Sequence, residues 1–215
     1  MRVLQTIAVT LVAFAIMGCG RAPRVDVSEL RGWITTPPRP KPAFTLTSMH
    51  GEPYAFHAET EGYLTLVFFG YTYCPDICPI HMANIAAVLK RLEPEVANQI
   101  KVVFVTTDPE RDTPERLREW LGNFDRSFVG LYGPLETVNE IQAAIGLPPA
   151  RIEETADSSR FPDGYGVAHA AAVVAYTTDN LAHVQYAFGT RQEDWAHDLP
   201  RLVKDGPPER EEETE

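Results

Sequence analysis

The chain has 215 residues, 44% of them hydrophobic, and a formal net charge of -11. That length and apolar content suit one domain with a proper core plus unstructured ends. An acidic surface repels phosphate backbones, which counts against a nucleic-acid partner.

The N-terminus carries Arg2, then an apolar stretch from Val3 to Met17 interrupted by Gln5, Thr6 and Thr10. It is short for a membrane span but has the form of a signal peptide. It ends in Ile16-Met17-Gly18-Cys19, which resembles a bacterial lipobox, where the cysteine sulfur is acylated after cleavage. Residues 1–18 are therefore predicted to be a signal peptide and Cys19 the lipidation site. An ordinary signal peptide, or an uncleaved anchor with an incidental cysteine, is the alternative. More than one acyl chain on Cys19 would give stable anchoring on the outer side of a bacterial cell membrane. Residues 19–42 hold Pro23, Pro37, Pro38, Pro40 and Pro42 and read as a semi-extended tether. Trp33, within it, has two readings: packed back on the domain, or resting at the lipid surface. Residues 43–204 are the predicted domain, and the acidic stretch 205–215 reads as a disordered tail.

Within the domain, Phe44 and Leu46 alternate before a turn at His50-Gly51, predicting a small hairpin. Leu64 to Phe69 is a buried-strand run ending at Gly70. A helix follows with Met82, Ile85, Ala86, Leu89 and Leu92 on one face. Lys90 and Arg91 lie in its last turn and Pro94 stops it. Val102 to Val105 is the next strand. A helix opens at Asp112 or Thr113, with Pro114 in its first turn, and buries Leu117, Trp120 and Leu121. Phe128 to Tyr132 is a third strand, and a helix with Leu135, Val138, Ile141 and Ile145 ends at Gly146. After a polar loop from Leu147, Ala171 to Tyr176 and Ala182 to Phe188 form strands around an Asp179-Asn180 turn. A final helix near Gln192 to Leu199 is interrupted or ended by Pro200.

This order of hairpin, β-α-β, α-β-α, β-β and α implies an α/β domain with helices on both sides of its strands. The closing β-β-α predicts a thioredoxin-like fold with an N-terminal hairpin and an inserted βα segment. A flavodoxin-like parallel sheet is the rival, but it would lack the closing hairpin.

Of the three cysteines, lipidation consumes Cys19, leaving Cys74-Pro75-Asp76-Ile77-Cys78. A close pair of thiols in an exported protein points to redox chemistry or metal binding, since a disulfide across so short a loop removes little chain entropy. Both sulfurs are predicted at or just before a helix N-terminus, where free N–H groups and the dipole stabilise thiolate. Two buried core cysteines, and a pure dithiol–disulfide couple, are the competing readings of the pair.

The segment Gly70-Tyr71-Thr72-Tyr73-Cys74-Pro75-Asp76-Ile77-Cys78-Pro79 resembles the SCO/SenC copper-chaperone family. Pro42-Ala43-Phe44-Thr45-Leu46 is similar to the family's opening segment, and Thr107-Asp108-Pro109-Glu110-Arg111-Asp112-Thr113-Pro114 to its second signature. The resemblance implies a third ligand, a histidine in the loop before a late strand, and His169 in Tyr165-Gly166-Val167-Ala168-His169 holds that place. In a thioredoxin-like fold that loop faces the cysteine turn. His50, His57, His81, His183 and His197 are expected at the surface.

Two thiolates and one imidazole suit a copper ion in either oxidation state. Zinc would accept the same set with water as a fourth ligand, but no glutamate is evidently placed to run hydrolysis on that water. The chain departs from the family pattern at Tyr73, Ala168 and Ala170, where the family commonly has histidine, an acid and a serine. Such neighbours orient ligands and tune affinity. The resemblance implies a copper metallochaperone whose client is the binuclear copper centre of cytochrome c oxidase subunit II. The alternative is an enzyme, a thiol-disulfide oxidoreductase using Cys74 and Cys78 to reduce the client's cysteines before metal loading. A peroxidase reading, and an inert disulfide, stand behind these.

Overall fold

In the computed structural model the described residues are 26–155, 157, 159–161, 164–204 and 206. The predicted signal peptide, Cys19, and the tail apart from Gly206 lie outside them.

The all-buried run Leu64–Gly70 forms β4, at the centre of an eight-stranded sheet. It pairs in parallel with β5 (Ile100–Thr106), which pairs in parallel with β6 (Val129–Tyr132). On the other side β4 meets β9 (Ala172–Tyr176), then β10 (Leu181–Ala187), both antiparallel to their neighbours. The predicted hairpin is β2 (Thr45–Ser48) and β3 (Pro53–Ala55), attached to β6 through β2. This mixed sheet with its closing β9-β10 hairpin is the predicted thioredoxin-like arrangement.

Because side chains alternate along a strand, β4 feeds two cores. Leu64, Leu66 and Phe68 pack under α2 (Ile77–Leu89), α4 (Pro114–Gly122) and α6 (Gln192–Lys204). Val67 and Phe69 pack under α1 (Phe56–Glu59) and α5 (Leu135–Ala144). Each fully buried aromatic such as Phe68 stabilises the fold by about 1.5–3 kcal/mol. α4 starts where Thr113 and Pro114 predict. The Thr113 hydroxyl accepts from the Arg116 N–H at 3.2 Å, a cap worth about 1 kcal/mol. α2 ends at Leu89, one residue before Lys90, and Pro94 opens a further helical turn, α3 (Pro94–Ala97), instead of only stopping the chain.

Three stretches differ from the expectations. Trp33–Pro40, read as tether, is β1, an edge strand antiparallel to β10. Its prolines are tolerated because Pro37 and Pro38 fall where the register shifts, between the paired residues Ile34 and Arg39. Trp33 stays 72% exposed. The folded part therefore begins ahead of residue 43. Upstream of β1, buried Asp198 on α6 accepts from the Arg31 N–H at 3.0 Å, the Gly32 N–H at 2.9 Å and the Tyr186 hydroxyl at 3.1 Å. The polar loop contains a second small sheet, β7 (Arg151–Glu154) against β8 (Tyr165–Ala168). Finally, α6 runs through Pro200 to Lys204, because fully buried Leu199 and Leu202 bracket the proline and offset its lost hydrogen bond.

Candidate metal centre

Three elements converge at one end of the sheet. β4 ends at Gly70, α2 begins at Ile77, and the loop between them carries Cys74, with Cys78 in the first turn of the helix. β9 runs antiparallel to β4, with Phe68 opposite Val173, so the chain entering β9 arrives at the same end. His169 lies there, between β8 and β9. The topology thus delivers a residue 91 positions downstream of Cys78 to the cysteine turn.

The Cys74 Sγ, Cys78 Sγ and one ring nitrogen of His169 lie within 4.8 Å of one another. Both cysteines are free thiols. Cys78 Sγ is 3.5 Å from His169 Nε2. On the far side of the ring, Nδ1 is 3.1 Å from the Ala170 carbonyl, a contact that turns the Nε2 edge toward the sulfurs. A backbone carbonyl therefore orients the imidazole at the place where Ala168 and Ala170 replace the family's polar neighbours. Edge contacts from Phe68 and Tyr71, with ring centroids 5.7 and 5.6 Å away, fix its plane.

The two sulfurs are electrostatically unlike. A hydrogen bond from the Cys78 thiol, aided by His169 and by the Cys78 and Asp76 amides, outweighs burial and pulls Cys74 down to about 4. The Cys78 N–H donates to Cys74 Sγ at 3.4 Å, which is the predicted helix-terminus effect in a direct bond. Cys78, fully buried, is pushed well above the ordinary thiol value by desolvation. The arrangement is one thiolate on the wall of a hollow, itself largely buried, backed by one fully buried thiol. A small hollow of about 200 Å³, walled by Cys74, Ile77, Phe161 and His169, opens beside them. Asp76, between the cysteines, pairs with Arg160 on its rim.

Gly70 is part of this machinery although it carries no chemistry. A Cβ there would sit 2.8 Å from Cys78 Sγ and 2.8 Å from the Phe68 ring. The second signature also acquires a structural meaning. Buried Asp112 accepts from the Thr72 N–H at 3.0 Å, the Thr72 hydroxyl at 2.6 Å and the Thr106 hydroxyl at 2.6 Å, clamping the cysteine loop to β5. Asp108 pairs with Arg111 at 2.6 Å and accepts from the Tyr165 hydroxyl at 3.1 Å, while Arg111 stacks on the Tyr165 ring at 3.6 Å. One segment thus braces both the cysteine loop and the strand leading into His169. Tyr73 lies between Arg111 and Arg116, each 5.0 Å from its ring.

Among the remaining histidines, His50 is exposed and His57 and His197 are half-buried. His81 and His183 correct the expectation, since both are buried. His81 follows Cys78 by three positions and packs on Phe68, with ring centroids 4.9 Å apart. Counting the apolar stripe of α2 from Cys78 rather than from Met82 would have included it. His183 sits in β10 between the fully buried Ala182 and Val184 and meets Asp179 at 2.9 Å. Gly70 and Asp112 were quoted in the signatures, but no spacing rule exposes their contacts.

The family model described as SCO1/SenC matches residues 34–204. The SCO2-like protein of Rickettsia typhi is 35% identical over 124 residues, covering 55% of this chain and 58% of that relative. The chain spans a little over half the length of such curated relatives. Bradyrhizobium japonicum ScoI, solved with copper bound, superposes with a TM-score of 0.64 at 29% identity, over 75% of this chain and 98% of that one. Apo Sco1 from Thermus thermophilus gives 0.62 at 29% identity, over 82% and 94%. The matched region takes in β2 to α6, both signatures and all three converging side chains, and the chain belongs to the SCO1/SenC family.

Proposed function

We propose that this chain is a copper metallochaperone, holding the ion through Cys74, Cys78 and His169. The observation that carries the reading is the convergence of two free cysteine sulfurs and one imidazole nitrogen within 4.8 Å. Soft sulfur with a single imidazole is a donor set for Cu(I), and it can hold Cu(II) as well. Cys74 already carries the charge a ligand needs. Cys78 releases its proton as the metal arrives, and the ion replaces the thiol hydrogen bond between the sulfurs. Copper is cargo here, and its transfer proceeds by stepwise exchange onto the acceptor's own ligands. The family resemblance supports a cytochrome c oxidase client, with subunit II and its binuclear copper centre as the acceptor. Lipidation of Cys19 on the extracytoplasmic side would keep donor and acceptor on one membrane surface and raise their effective concentration.

Anaerobic Cu(I) titration of the purified chain against a competing chelator tests this. Tight binding of one ion is expected, weakened by at least tenfold in Cys74→Ser, Cys78→Ser and His169→Ala. Unchanged affinity in His169→Ala would remove the third ligand.

The same pair favours a second reading, because a low-lying thiolate at a hollow beside a fully buried thiol is the layout of a dithiol reductant. Cys74 thiolate would attack a client disulfide, releasing one client thiolate and forming a mixed disulfide. Cys78, once deprotonated, would displace the second, leaving Cys74–Cys78 oxidised and the client reduced by two electrons. An external thiol must then restore the pair. This chemistry needs no imidazole, so His169→Ala separates the two: copper carriage is lost while disulfide reduction persists.

A further inference from the structure

A cleft of about 630 Å³, about three times the hollow at the sulfurs, opens beyond the C-terminal ends of β5 and β6. Crevices at such strand ends are where α/β sheets gather ligands. Its wall includes Thr107, fully buried, whose hydroxyl has no hydrogen-bond partner among the described residues. Asp108 lies beside it, and the exposed Glu110 and Glu136 line the cleft too. No Lys, Arg or His is among the described lining residues. Tyr132 and Ile152 supply apolar surface. α5 starts at this cleft from Pro134 with no side-chain cap, so its first N–H groups are open to an acceptor.

These features specify a ligand. Glu110 and Glu136, exposed with no cation among the described lining residues, select positive charge, and the apolar wall suits an aliphatic stem. The unpaired hydroxyl and the open N–H groups suit backbone carbonyls. The only metal-holding group among the described residues is the Cys74, Cys78 and His169 set, so a bare metal ion is not what the acids hold. We infer that this cleft docks an extended, lysine- or arginine-bearing segment of the protein partner, an inference that rests on the delivery reading above. The position explains how docking would be felt at the metal centre. Asp108, on the cleft wall, is the same carboxylate that holds Arg111 and the Tyr165 hydroxyl, and Tyr165 opens the strand that ends beside His169. A partner cation at the exposed Glu110 bears on those bonds through the same short segment, two residues from the buried Asp108.

Fluorescence anisotropy with the purified chain tests the docking site, using labelled Lys-Val-Lys-Val-Lys and Glu-Val-Glu-Val-Glu as probes. The basic peptide is expected to bind saturably and the acidic one not. Glu110→Gln with Glu136→Gln should weaken binding at least tenfold, and Thr107→Val, which keeps the side-chain shape, should weaken it severalfold. Glu93→Gln with Glu95→Gln, at the cap and in the first turn of α3 beyond the opposite end of β5, makes the same change in net charge and should leave binding unchanged. An affinity for the cleft variant within twofold of wild type, equal weakening by the α3 control, or equal binding of the acidic peptide would overturn the inference. Cys74→Ser with Cys78→Ser should still bind the basic peptide. A failed copper titration with intact peptide binding would therefore overturn copper carriage and leave the docking site standing.

Discussion

Gly70→Ala is the change that most sharply probes how backbone sets the position of a ligand. Gly70 ends β4, and its carbonyl accepts the Thr107 N–H at 2.7 Å, so the main chain there has little room to retreat. The added methyl would stand 2.8 Å from Cys78 Sγ, 2.8 Å from the Phe68 ring and 3.2 Å from the Phe104 ring. Phe68 cannot yield easily, being packed on His81, Phe104 and His169. The relief must therefore come substantially from the sulfur, by roughly 0.5–1 Å for an ordinary contact. Metal–ligand distances tolerate only about 0.2 Å. Overpacking of this kind costs about 1–3 kcal/mol, and charged to the metal complex that is a loss of about 5- to 150-fold in Cu(I) affinity. The assay is the chelator-competition titration, with circular dichroism to show that the variant is folded. Gly122→Ala is the control, since a Cβ there meets nothing within 4 Å. A folded Gly70→Ala with wild-type affinity would show that the sulfur is not held where this account needs it.

The depressed Cys74 value makes a statement about stability. Its folded thiol lies at about 4 against an ordinary 9.0, so its stabilisation is complete above pH 9 and is lost as pH falls toward 4. In metal-free reducing buffer, the unfolding free-energy gap between wild type and Cys74→Ser should shrink as pH is lowered through that window. The slope should reach up to about 1.4 kcal/mol per pH unit, and a gap independent of pH would contradict the thiolate assignment. Asp198→Ala leaves the Arg31 and Gly32 amides and the Tyr186 hydroxyl without their acceptor. Urea unfolding should show a loss of about 3 kcal/mol or more, whereas a loss below about 1 kcal/mol would mean that the segment before β1 is not clamped to the domain.

Much of this was legible in the amino-acid order, for identifiable reasons. The central strands announce themselves as unbroken apolar runs, and Thr113-Pro114 marks a helix start because capping chemistry is local. The two cysteines were placeable at a helix N-terminus from Pro79 and the preceding strand alone. What stayed hidden depends on partners distant in sequence. β1 looks like a tether because prolines dominate Trp33–Pro40, and only the register shift opposite β10 makes room for them. β7 is exposed along its whole length, so no burial alternation betrays it. The burial of His81 follows from Phe68, and that of His183 goes with its pairing to Asp179 in the turn before β10. The convergence of His169 on the cysteines was read from the family resemblance. Its physical basis, the antiparallel return of β9 along β4, appears only in three dimensions.

X-ray absorption at the copper edge of the anaerobically loaded chain tests the three-ligand centre most directly. Two sulfur scatterers and one imidazole are expected in wild type, with the imidazole signature gone and both sulfurs kept in His169→Ala. A wild-type spectrum containing sulfur alone, or imidazole scattering that survives His169→Ala, would contradict it.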